Sequence, residues 1–139
     1  GDMELMPSGG NVGIGASPSC KLEVNGIMTS KGGANLSPDG DGVISVTHNF
    51  HMIDNVAGDV TINGISGGVA GMVVWFVPTD SGNNVTFKDA GGGDPQVLGS
   101  EEMQTAGSVD QTLDNSHDSI GFICVGGGGW AQIAISNTN

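Results

Sequence analysis

The sequence predicts an all-β protein, and three observations lead there. Gly residues and clusters of Asn, Asp and Ser interrupt it every few residues, the apolar runs between them are short and rich in Val, Ile and Phe, and no window of ~11 residues keeps a helical period. With 26 Gly among 139 residues, helices are disfavoured further, because each interior Gly costs about 1 kcal/mol.

Strands are expected, in order, at Asn11–Gly15, Lys21–Thr29, Gly42–His48, Phe50–Asp54, Asp59–Asn63, Met72–Pro78, Asn84–Lys88, Ser119–Gly126 and Trp130–Ser136. Val43–Thr47, Asp59–Asn63 and Asn84–Lys88 alternate apolar and polar residues, the pattern of a sheet with one buried face. Met72–Val77 does not alternate, which predicts a central strand covered on both faces and ended by Pro78. The last two strands flank Gly126–Gly129. Glycines tolerate positive φ, so these predict a terminal hairpin. A phosphate cradle there would need a following helix and a Lys, and neither is present. Composition shifts around Ala34–Asp41, dividing the chain into a connector, residues 1–33, and a β-rich head, residues 34–139.

The chain carries 15 Asp or Glu against 3 Lys and no Arg, a formal net charge of −12. Lys21, Lys31 and Lys88 cannot neutralise a run of phosphates or dock on an anionic leaflet, so neither nucleic acid nor membrane is an expected partner. No run approaches the ~18 apolar residues of a spanning helix, and no basic-then-apolar leader opens the sequence. Cys20 and Cys124 are too few for a disulfide framework or a four-cysteine zinc site. Two buried thiols are expected, with a single long-loop bridge as the alternative.

Gly10-Asn11-Val12-Gly13-Ile14-Gly15, then Ser17-Pro18-Ser19 and Lys21-Leu22-Glu23-Val24-Asn25-Gly26, resembles a signature of tail fibres and related trimeric appendages of tailed bacteriophages. In that family it reads approximately GNVGIG, a short Ser/Pro spacer, then KLxVNG. The match is nearly complete over Gly10–Gly26, and Cys20 falls where the family varies. A looser resemblance covers the head. Asp59–Ile65, Met72–Val77, Asn84–Asp89, Ser119–Phe122 and Gly128-Gly129-Trp130 look like a β-module of phage appendage proteins. The chain departs from it at Met72, where Gln is common, and in the acidic stretch Glu101–Asp110.

The resemblance implies a homotrimer with an interleaved β-prism or β-sandwich head, located in the virion and serving host attachment, with no cofactor. Its implied partners are two further copies of itself and a host cell-surface glycan or outer-membrane receptor. A purely structural shaft or collar module and a polysaccharide depolymerase are the alternatives. Composition points toward association as well. With 4 Phe and 2 Trp, a lone subunit is expected to lack apolar area and to complete its interior by sharing it with two copies.

Several residues could carry chemistry. Asp39 and Asp41, in Asp39-Gly40-Asp41-Gly42, suggest a Ca²⁺ loop, but the closing acidic ligand is missing and a solvated turn is expected. His48 and His51 are metal candidates, but a spacing of three places them on opposite faces of a regular strand, and turn or surface histidines are expected instead. Asp80–Asn84 reads as a turn. For a glycan, Asn83, Asn84, Asp89 and Asp94 are candidate contacts, whereas Trp75 and Trp130 are expected in the core. Catalysis is not expected. No pair of carboxylates stands out as acid and base, and Ser116-His117-Asp118 is a sequence neighbourhood rather than a triad.

Overall fold

The computed structural model describes residues 12–14, 22–24, 31–90 and 101–137. Two compact units divide the chain, Gly1–Ser30 and Lys31–Asn139. In the first, β1 (Val12–Ile14) and β2 (Leu22–Val24) pair in parallel, Val12 opposite Leu22. Cys20, Asp94 and the last residues of the expected strand Lys21–Thr29 lie outside the described residues.

The second unit is all-β and solenoid-like. A first turn of chain consists of β3 (Val43–Ser45), β4 (Phe50–Ile53) and β5 (Val60–Ile62); a second consists of β6 (Gly64–Ser66), β7 (Val73–Pro78) and β8 (Val85–Phe87). Each strand pairs in parallel with its counterpart, Val43 opposite Gly64, Phe50 opposite Trp75 and Val60 opposite Val85. Such stacking lets three-residue strands, too short to persist alone, share ladders and a core.

The third turn runs the other way. After β9 (Met103–Gln104) and one 3₁₀ turn at Ala106–Ser108, β10 (Gln111–Leu113) lies antiparallel to β8, and β11 (Ser119–Gly126) antiparallel to β7. The chain then reverses into β12 (Gly129–Ser136), whose start pairs in parallel with β9. Gly126, Gly127 and Gly128 take φ of 106°, 62° and 88° in this reversal, angles that a side chain would make costly. The expected terminal hairpin is thus present. No helix among the described residues is long and apolar enough to cross a membrane.

Three sheets result, ordered β4-β7-β11-β12-β9, β5-β8-β10 and β3-β6. They enclose one core of fifteen buried apolar residues, among them Ile44, Ile65, Phe76, Phe87, Phe122 and Trp130. Phe76, Phe87 and Phe122 bridge two of the sheets, with ring centroids 5.5–6.3 Å apart. Trp130 is fully buried, as expected, and its Nε1–H donates to the Ile65 carbonyl at 2.8 Å. Cys124 is a buried free thiol.

The structure corrects three expectations. One copy does complete an interior across the described residues of the head, because stacked turns pool the one or two inward residues of each short strand. The all-β class holds, and within one chain the short strands stack in a solenoid-like way. Met72–Val77 is not covered on both faces: within β7, Val74, Phe76 and Pro78 are buried while Trp75 is 38% exposed. Trp75 is therefore not a core residue of the single chain. Finally, β6, β9 and β10 are strands that the sequence pattern did not reveal.

Candidate functional site

His51 and His48 are not arranged as expected. His48 sits in the bend before β4, so the two rings meet edge to face with centroids 5.8 Å apart rather than on opposite faces. His51 is fully buried, not a turn or surface residue, and stacks on Phe76. Its Nε2 accepts hydrogen bonds from the backbone N–H of Thr47 (3.2 Å) and His48 (3.1 Å), which leaves Nδ1 as the donor to the Ala34 carbonyl at 2.9 Å. With both ring nitrogens engaged, the imidazole pins the chain entering the head to the first turn and has no lone pair for a metal. We expect ¹⁵N NMR to find His51 as the neutral Nδ1–H tautomer; the Nε2–H form would contradict this arrangement.

The Asp39 carboxylate closes its own turn, accepting from the N–H of Asp41 (3.0 Å) and Val43 (2.9 Å). Asp41 contributes its carbonyl, which accepts from Asn63 Nδ2 at 2.8 Å. Among the described residues no three His, Cys, Asp or Glu side chains gather as a metal set. Asp39, Asp41, His48 and His51 thus organise turns and the chain entry.

Asn83 and Asn84 precede β8, and Asp89 follows it. These candidates lie about 16 Å apart along extended chain and do not share a site. Asn83 donates from Nδ2 to the Asn55 carbonyl (2.9 Å), and the Asn84 N–H donates to Asp59 Oδ1 (2.8 Å). Buried Asn55 links the loop from the other side, accepting from Thr79 and Asp80 and donating to the Asp80 and Asn83 carbonyls. Asp80 turns back on Gly82 N–H, as a turn residue should.

At the far end of β8, Asp89 Oδ1 accepts from the N–H and hydroxyl of Thr105, and its own N–H donates to Asp110 Oδ1. Lys88 Nζ pairs with Asp110 Oδ2. The Lys88 hydrogen bond first, and the Asp89 N–H second, hold the Asp110 carboxyl below its ordinary value. A carboxylate depressed in the fold stabilises it above the unfolded carboxyl range and loses that contribution as pH falls through the folded value. The difference in melting temperature between wild type and Asp110→Asn is therefore expected to be small near neutrality and to vanish in strong acid. A difference that grows on acidification would contradict this.

Ser116, His117 and Asp118 do not converge. Asp118 is buried, with Oδ2 accepting from the N–H of Asp114 and Asn115, while the His117 ring pairs with Asn115.

One feature was missed by the sequence reading: an aromatic pair on the outer side of the five-stranded sheet. Phe50 and Trp75 are cross-strand partners, 39% and 38% exposed. A Cβ on Gly121 would come within 3.0–3.1 Å of Trp75 ring carbons, so the indole lies over β11 where a side chain would otherwise stand. The available signal was the absence of polar residues in β7, read instead as burial on both faces.

No known family model matches this sequence, and no curated protein matches it significantly.

Proposed function

We propose that the chain is a structural and host-attachment segment of a viral, phage-like tail fibre that works as a homotrimer in the virion, its three heads packed as a prism about one axis. The observation that carries the reading is the signature over Gly10–Gly26. The parallel pairing of Val12–Ile14 with Leu22–Val24 within it is compatible with a connector built of short β-segments. In the head, turns such as Asp39–Gly42 and Asp80–Asn84 are held by their own side chains. Rigid turns of this kind suit weak contacts to a host glycan or outer-membrane receptor, multiplied by three copies per fibre and several fibres per particle. No catalytic step and no cofactor belong to this reading.

Sedimentation of the chain at micromolar concentration should give three times its 13.9 kDa mass, and the purified protein should compete with particles for host cells. A monomer overturns the trimer. A trimer that neither binds cells nor competes overturns attachment and leaves a shaft role. Turnover of host polysaccharide that is lost on replacing one carboxylate overturns the non-enzymatic reading.

A further inference from the structure

We infer that the outward side of the five-stranded sheet is the surface on which one copy of this chain meets another. This rests on the homotrimer proposed above and names its contact face in the head.

The three sheets present unlike chemistry to solvent. On the outer side of β3-β6, Ser45 lies opposite Ser66 with the hydroxyls 2.7 Å apart. On β5-β8-β10, Thr61, Thr86 and Thr112 form a row across the sheet, the last two 3.1 Å apart at their hydroxyls. The same positions on β4, β7 and β11 hold Phe50, Met52, Val73, Trp75, Val77 and Ile123, each exposed or only half-buried. Of the eight exposed large apolar side chains among the described residues, Phe50 and Trp75 stand together on this side of the sheet, and none belongs to the other two sheets. Two sheets are thus finished for water with hydroxyls; the third is finished with aromatic and branched aliphatic groups.

Charge identifies the occupant. A chain with net charge −12 repels its own copies at most of its surface. Yet β4, β7, β11 and β12 contain no Asp, Glu, Lys or Arg. This is a face on which two copies can meet without opposing carboxylates, and it offers nothing to attract a cationic partner.

Size sets how the contact closes. Four strands about 4.8 Å apart, with about six residues each at ~3.3 Å, make a face on the order of 400 Å². Stable interfaces between free partners bury about 800 Å² on each side. The face is therefore suited to copies already held together elsewhere, at the millimolar effective concentrations that a short tether gives.

The test uses the full chain. Phe50→Thr with Trp75→Thr gives this sheet the finish of the other two, and both residues stand on the solvent side, so far-UV circular dichroism should be unchanged. The double variant is expected to need at least tenfold more protein to form the trimer. In the wild type, acrylamide quenching is expected to reach Trp75 only on dilution to monomer, with Trp130 shielded throughout; this measurement needs no variant.

A trimer with the same dissociation concentration in the double variant, or a Trp75 quenched equally in trimer and monomer, overturns the inference and leaves the homotrimer standing. A wild type that stays monomeric at every concentration overturns the homotrimer itself. Shielding of Trp75 in the monomer by a neutral polysaccharide such as dextran assigns the face to sugar and also overturns the inference.

Discussion

Trp130→Ala is expected to destabilise the head by about 3–5 kcal/mol, the range for removing a large aromatic side chain from a packed core. Two losses combine. The indole is fully buried and fills the space above Gly68, where an added Cβ would come within 2.2 Å of a ring carbon, so on that side there is no side chain to fill the cavity left behind. Its Nε1–H also satisfies the Ile65 carbonyl from β6, across 65 residues of sequence. Trp130→Phe keeps an aromatic ring in the core while removing the donor and part of the volume, so a smaller cost, about 1–3 kcal/mol, is expected. Urea unfolding followed by circular dichroism separates the two. An alanine variant within 1 kcal/mol of wild type would show that β12 is not tied to β6 in this way.

Asn55→Ala is expected to cost about 2–4 kcal/mol, because each buried polar group left unsatisfied costs about 1–3 kcal/mol and partial rehydration recovers some of it. Asn55 Oδ1 accepts from Thr79 N–H (3.0 Å), Thr79 hydroxyl (3.0 Å) and Asp80 N–H (2.8 Å), and Nδ2 donates to the carbonyls of Asp80 (3.0 Å) and Asn83 (2.7 Å). One amide thus stands in for backbone pairing where β7 ends at Pro78 and the chain turns toward β8. Asn55→Asp keeps the shape and replaces the donor with an acceptor facing two carbonyls. Its penalty should at least equal that of alanine near neutrality, and it should ease in acid, where the protonated carboxyl regains a donor. Thermal melts at neutral and acidic pH read both effects; an aspartate variant as stable as wild type at neutral pH would contradict the geometry.

The all-β class was legible because periodicity and glycine placement act locally. Val60-Thr61-Ile62 and Val85-Thr86-Phe87 even display the repeat itself, 25 residues apart and in register. The stacking was harder to see because the turns are uneven: Val43 finds its partner 21 residues on, at Gly64, so no single period runs through the sequence. β9, with Met103, and β10, with Leu113, each supply one buried apolar residue, too little for alternation to register.

The candidate site was less legible still. Asp39, Asn83 and Asp89 looked like ligand groups, yet turn backbones need acceptors and donors of their own, and these side chains provide them. In Trp75 the sequence pattern and the chain in isolation disagree. An unbroken apolar run signals cover on both sides, and one chain supplies cover on one. The neighbouring copy proposed above, seated over that strand, would reconcile the two.

The repeat of one turn upon the next makes the head's height adjustable. Copying the 25-residue stretch that separates Val60 from Val85 would slot in one more rung, about 4.8 Å tall, beneath a reversed closing turn that need not change. Reach can thus grow by whole steps through duplication within the gene, with each new level inheriting the same two wettable sides and the same oily one.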